Sequence, residues 1–259
     1  MTKKRCLLDG LTKDACSPQS SAHIAFHGAS GRGGRVGAAG LPEDYRLITL
    51  ENAPARESQP KVYDMFDKYA ETFSRQFGED PTQIKSLYLH SPNPGNGKST
   101  SAAAILNAYL LTHFIGSIQR GLTPKQRPAL FLDVSDWHAD YNQFNRSKVP
   151  DSIAEPAAKR YYTMMERAKH VDFLVCDDIG TRDYTENFTN DLHTVINYRV
   201  TNRLPSVYTS NLPIKYEGTK DPRVTQDLVD LFGEERLADR IGDMCMKVPF
   251  AGESKRGRR

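Results

Sequence analysis

The run Pro92-Asn93-Pro94-Gly95-Asn96-Gly97-Lys98-Ser99-Thr100 limits what this chain can fold into more than any other stretch. Residues 86–90 before it (Ser-Leu-Tyr-Leu-His) alternate as a strand does. Residues 101–114 after it are rich in Ala and Leu and read as a helix. A glycine turn between strand and helix aims several backbone N–H groups at one place, and the positive end of the helix dipole adds to them. The expected ligand is a polyphosphate, cradled by Pro94, Gly95, Asn96, Gly97 and Thr100. Lys98 would reach the β- and γ-phosphates, and the Ser99 hydroxyl would bind Mg²⁺. The general motif opens with Gly where this chain has Pro92; the core Pro-Gly-x-Gly-Lys-Ser is intact.

The rest of the chain has the matching rhythm. Residues 129–134 read as a strand, 135–145 as a helix with Ser135 as its N-cap, and 151–169 as a second helix. Residues 171–176 read as a buried strand, 185–203 as a long helix and 205–209 as another strand. This alternation predicts an α/β fold, a mainly parallel sheet covered on both faces by helices. Upstream, Val62, Met65, Phe66, Tyr69 and Phe73 recur at helical spacing, and Asp80-Pro81 ends that helix.

A phosphate loop needs an acidic partner for Mg²⁺. The apolar run Phe173-Leu174-Val175-Cys176 ends in Asp177-Asp178, the Walker B pattern, in which acids emerge at the strand's C-terminal end beside the phosphates. Asp177 is the expected Mg²⁺ ligand, and Asp178 would orient or deprotonate the attacking water. The next strand ends in Thr209-Ser210-Asn211, which makes Asn211 the candidate sensor of both the γ-phosphate and that water.

Composition narrows the setting. A chain of 259 residues suits one large α/β domain with a small appendage. Hydrophobic residues at 38% and charged residues at 26% exclude wholesale disorder. No apolar run is long enough to span a bilayer, so no membrane association is expected. The basic start Met1-Thr2-Lys3-Lys4-Arg5 is not followed by the long apolar stretch of a secretory signal, so the expected location is cytoplasmic. A net charge of +3 does not by itself indicate nucleic-acid binding. Arg32 and Arg35 lie in the glycine-rich stretch 28–40, read as a plain loop or a flexible arm on a nucleic-acid backbone. Tyr141, Asn142, Phe144, Arg146 and Lys148 form an aromatic-basic cluster that is either a single-strand contact or the outer face of a helix.

Four cysteines are too few for a disulfide scaffold at this length, and Cys176 and Cys245 read as core. Cys6, Cys16, His23 and His27 offer four N/S ligands for one tetrahedral Zn²⁺. The His-x₃-His spacing places both imidazoles on one helical face. The alternative is free cysteines and surface histidines. The organisation read from these features is a zinc-binding segment over 1–45, a linker over 46–60 and an ATPase domain over 61–259.

Pro-Gly-Asn-Gly-Lys-Ser, Leu-Val-Cys-Asp-Asp-Ile-Gly, Tyr-Thr-Ser-Asn-Leu-Pro and Glu-Arg-Leu-Ala-Asp-Arg-Ile, in this order, resemble AAA+ (ASCE P-loop) ATPases of the DnaC/DnaI type. These are bacterial and phage loaders of the replicative helicase; the transposition ATPase IstB belongs to the same group. The resemblance covers roughly residues 60–256. It implies ATP as nucleotide, the replicative helicase and single-stranded DNA as partners, a bacterial or phage origin, and slow hydrolysis, since related ATPases carry Glu where this chain has Asp178. It matches Arg240 to the arginine that reaches a neighbouring subunit's γ-phosphate, with Arg236 one turn earlier as second candidate; this implies a homo-oligomer or assembly on the helicase. It matches Arg256 to a second sensor arginine that contacts nucleotide in cis, although Lys255 stands where the group often has an aromatic. It also implies that the amino-terminal segment grips the helicase. The competing readings are an IstB-like transposition ATPase on duplex DNA and an adaptor that binds nucleotide without hydrolysing it.

Overall fold

The computed structural model describes residues 6–11, 17–79, 84–180, 183–216, 218, 224 and 226–251. Five strands form one sheet: β1 (Ser86–His90), β2 (Ala129–Asp133), β3 (Phe173–Ile179), β4 (Ser206–Ser210) and β5 (Cys245–Pro249), in the spatial order β2-β3-β4-β1-β5. β1 runs parallel to both β4 and β5, and β3 runs parallel to β4. The parallel α/β architecture expected from the alternating pattern is therefore present. β3 extends to Ile179, three residues past the expected end, because Asp177 and Asp178 interrupt the apolar run without ending the strand. β5 has no counterpart among the sequence expectations.

By their internal contacts the residues fall into two compact units, Met1–Ile84 with Ser99–Phe131, and Lys85–Lys98 with Leu132–Arg259. In the second, helices α5 (Val134–Asn145), α6 (Asp151–His170) and α7 (Glu186–Thr201) meet through a cluster of aromatic rings. Trp137 and Tyr161 are 4.8 Å apart between ring centroids, Trp137 and Phe188 5.0 Å, and Tyr141 and Tyr161 5.5 Å. Tyr141 is thus buried core, and Phe144 packs against Tyr161; of the aromatic-basic cluster only Arg146 and Lys148 are exposed. The cap of α5 is Asp133, whose carboxylate accepts from the N–H groups of Ser135 and Asp136. The expected cap, Ser135, lies inside the helix because the strand-ending Asp is the better acceptor two residues earlier. Thr185 caps α7 by accepting from the Phe188 N–H. Two short helices, α8 (Leu228–Phe232) and α9 (Glu235–Met244), lead into β5.

Arg199 is fully buried in this unit. Its guanidinium donates to the carbonyls of Ala168 (2.9 Å), Val171 (2.9 Å) and Pro205 (2.8 Å) and to the Ser206 hydroxyl (2.7 Å). It thereby satisfies the carboxyl end of α6 and ties that end to the entrance of β4.

In the first unit, α1 (Ser21–His27) and α2 (Gly34–Ala38) pack on α4 (Lys98–Gln119) from Ser99 onward. Phe26 meets Phe114 at 5.3 Å between centroids. Arg35 is buried, lies over the Phe114 ring, and donates to the carbonyls of Ala25, Pro124 and Lys125. The glycine-rich stretch is close-packed here. A Cβ on Gly34, whose φ is +59°, would stand 2.5 Å from the Phe26 backbone. α3 (Pro60–Glu71) continues as a 3₁₀ turn over Thr72–Phe77, and the Tyr63 hydroxyl bonds that of Ser101 at 2.7 Å. Asp80-Pro81, expected to end this helix, lies outside the described residues. Among the described residues, α4 alone is long and apolar enough to cross a membrane, but 72% of its apolar window is buried, as in a core helix.

Replacing Arg199 with Met leaves several buried carbonyls without a donor. We expect a loss of about 3 kcal/mol in unfolding free energy, read from urea denaturation, with the same slope as the parent chain.

Candidate nucleotide site

The site is built from the carboxyl ends of three adjacent strands, β3-β4-β1. In parallel sheets this is the edge where loops and helix N-termini converge on ligands. The loop after β1 carries Gly95 at φ +74° and Gly97 at φ +103°, conformations that glycine adopts without a Cβ clash. α4 begins at Lys98, with Ser99 and Thr100 in its first turn.

Lys98 is buried, and three neutral oxygens sit against its ammonium: Asn211 Oδ1 at 2.6 Å, Asn93 O at 3.2 Å and Ser91 O at 3.4 Å. Two residues singled out by sequence, Lys98 and Asn211, are therefore in direct contact across 113 positions of chain. Asp177 is buried and its Oδ1 accepts from the Thr209 hydroxyl at 2.6 Å. Asp178 is half-buried, has φ +68°, and donates its N–H to the same hydroxyl at 2.9 Å. A cation at the phosphate loop, a buried carboxylate and a half-exposed second acid are the donor set that Mg²⁺ and a triphosphate require.

The far side of the loop is tied to β5. Asn96 Nδ2 donates to the Phe250 carbonyl at 3.4 Å, and the Phe250 N–H donates to the His90 carbonyl at 2.8 Å. Burial and the nearby Lys98 lower the His90 pKa, partly offset by a hydrogen bond to the Asn211 backbone. Neither His90, Asn96 as a β5 contact, nor Thr209 was singled out by sequence; each is an ordinary residue type whose role depends on which strands are neighbours.

Arg240 stands apart from this group. It is half-buried on α9, and its Nη1 donates to Asn197 Oδ1 (2.7 Å) and Thr201 Oγ1 (3.2 Å) on α7. Arg236 is exposed. Lys255 and Arg256 lie outside the described residues. Cys176 and Cys245 are buried as expected, and burial pushes both thiols up.

A second constellation lies in the amino-terminal segment. Donor atoms of Cys6, His23 and His27 lie within 4.8 Å of one another, and all three residues are buried. The two imidazoles face each other on α1 at 5.0 Å between centroids. Burial, reinforced by His23, lowers the His27 pKa to about 4, and the Leu7 N–H donates to its Nε2 at 3.2 Å. Two imidazoles beside a cysteine, one of them held neutral at His27, fit a zinc site. Cys6 is disulfide-bonded in this structure, so the metal form needs its reduced thiolate. Cys16, the fourth expected ligand, lies outside the described residues.

Sheet order, glycine loop and acidic strand end together define an AAA+-type P-loop fold, the class read from the sequence. Among solved structures, the chain is similar to the DnaC helicase loader, at 19% identity and a TM-score of 0.54, over 81% of this chain and 100% of that one. It is also similar to DnaI, at 19% identity and a TM-score of 0.51, over 83% of this chain and 94% of that one. At this identity the likeness is one of fold. No protein-family model matches the sequence, and no curated protein matches it.

Lys98→Ala removes the cation at the loop. We expect Mg·ATP binding, measured with a fluorescent analogue, to weaken by about 100-fold, with the melting temperature little changed.

Proposed function

We propose that this chain is a Mg²⁺-dependent ATPase of DNA replication that loads the replicative helicase onto single-stranded DNA. One observation carries the reading: Lys98 and Asn211 touch at the same sheet edge where β3 presents Asp177 and Asp178, in a fold like that of the DnaC helicase loader.

The triphosphate of ATP would lie on the backbone of residues 94–100. Mg²⁺, when bound by Ser99 and Asp177, supplies charge neutralisation at the phosphates. Lys98 would exchange its contacts with Ser91, Asn93 and Asn211 for phosphate oxygens, and the freed Asn211 amide would orient a water. Asp178 would take a proton from that water as its oxygen bonds to the γ-phosphorus and the bond to ADP breaks. Arg240 of a neighbouring copy, in a homo-oligomer or in an assembly on the helicase, would stabilise the charge developing on the transferred group, and Arg256 would contact nucleotide in cis. Residues 1–45, with Zn²⁺ on Cys6, Cys16, His23 and His27, would grip the helicase, and the ATPase part would hold DNA in the bacterial cytoplasm. Binding and slow hydrolysis of ATP would then time grip and release.

Asp178→Asn should lower kcat by about 100-fold or more while leaving the Kd for ATP within about threefold. Arg240→Ala should do the same, and lost binding with intact turnover would contradict its role. Pull-down against the replicative helicase tests the partner. A chain that hydrolyses ATP but captures no helicase is not a loader, and one that binds ATP without turnover, with or without single-stranded DNA, is a clamp.

Metal analysis of the reduced chain should find about one zinc per chain, and chelation should destabilise the amino-terminal segment before the sheet. A content below about half a zinc per chain contradicts the site.

A further inference from the structure

We infer that Thr209 is a positioning residue of the nucleotide site, setting both acids of β3 through a single hydroxyl. The inference rests on the ATPase reading above. β3 and β4 pair residue for residue from Leu174↔Ser206 to Cys176↔Tyr208, and the next pair is Ile179↔Ser210. β3 thus spends one residue more than β4 over this interval, a bulge placed on Asp177 and Asp178. Within it Asp178 takes φ +68°, a left-handed conformation that a residue with a Cβ holds only where its surroundings fix it.

Thr209 is what fixes it. Its Oγ1 accepts the Asp178 N–H at 2.9 Å and lies 2.6 Å from Asp177 Oδ1. An amide N–H only donates, so the hydroxyl proton is left for the carboxylate. The bond to Asp177 therefore runs from hydroxyl to carboxylate and holds one of its oxygens. Held by that bond, the Asp177 carboxylate keeps one orientation towards Mg²⁺. The β-branch of Thr restricts χ1 in a strand and so fixes the hydroxyl's direction. Ser210 holds the other side of the bulge, its Oγ donating to Ile179 O at 2.7 Å and accepting from the Leu212 N–H at 2.9 Å. Asn211, the next residue, touches Lys98. The acids and the sensor amide are thus mounted on one short piece of β4, and Thr209 is the part of it that holds the acids.

The test compares Thr209→Val, which keeps the shape and removes the hydroxyl, with Thr209→Ser, which keeps the hydroxyl. In Val we expect kcat to fall by about 50-fold and the Mg²⁺ concentration for half-maximal turnover to rise by about 10-fold, with KM for ATP within about threefold. Ser should stay within about fivefold of the parent in both. A role in packing alone would instead lower the melting temperature and leave the Mg²⁺ dependence where it was. A folded Val variant with parental kcat and Mg²⁺ dependence overturns the inference while leaving the ATPase reading intact. A parent chain that neither binds nor hydrolyses Mg·ATP overturns both. Should Val fail to fold, hydrogen exchange on the parent decides: the Asp178 amide should be protected as strongly as its β3 neighbours, and rapid exchange there overturns the inference.

Discussion

β4 lies between β1 and β3 and is buried along its whole length, yet its sequence is Ser-Val-Tyr-Thr-Ser. Buried hydroxyls must be hydrogen-bonded, so the central strand dictates what its neighbours present to it. At its start, the Ser206 hydroxyl accepts from Arg199, and the Ser206 N–H donates to the Ser86 hydroxyl on β1. At its end, Thr209 and Ser210 take up the bulge of β3. One set of contacts locks helix α6 to the sheet; the other shapes the candidate site. Polar groups in a core are costly unless all are satisfied, and here satisfying them also places Asp177, Asp178 and Asn211 at one sheet edge.

The site was legible in the sequence wherever chemistry and local pattern coincide. A glycine loop before a helix, and acids after an apolar run, are local signals that survive without knowledge of strand order. What was not legible depends on that order. Thr209 looks like a strand residue until β3 is beside it, and Asn96 like a loop residue until Phe250 is. β5 is not legible in the sequence because Cys-Met-Lys-Val-Pro lacks an alternating apolar pattern, and its place beside β1 supplies the pairing that its propensity does not. The aromatic residues around Tyr141 carry the opposite lesson. Their interleaving with basic residues suggested a surface, but three neighbours of Tyr141, namely Phe144, Tyr161 and Phe188, are themselves rings. A ring on a helix that faces other rings gains more by burial than by display.

The amino-terminal segment shows how a stretch with weak periodicity acquires a core. Its apolar residues are sparse, but Phe26, Val36, Ala39 and Leu41 are all buried. Arg35 contributes to the same packing as a cross-link. Its guanidinium meets three backbone carbonyls and a ring, and burial lowers its pKa. Arginine suits this use because its planar fork satisfies several acceptors at once and its stem packs as hydrocarbon. A charged residue in a glycine-rich stretch is therefore not evidence of a nucleic-acid arm when the glycines are themselves close-packed, as at Gly34.

The identity of the second acid follows from backbone geometry. The resemblance read from the sequence implies slow hydrolysis, because Asp178 stands where the resembling ATPases carry Glu. In this structure position 178 is left-handed. Among residues with a Cβ, Asp and Asn tolerate that region best, because their short polar side chains can bond locally. A Glu there would lose that tolerance, at a cost of roughly 1 kcal/mol. The bulge and the short acid are thus two sides of one arrangement.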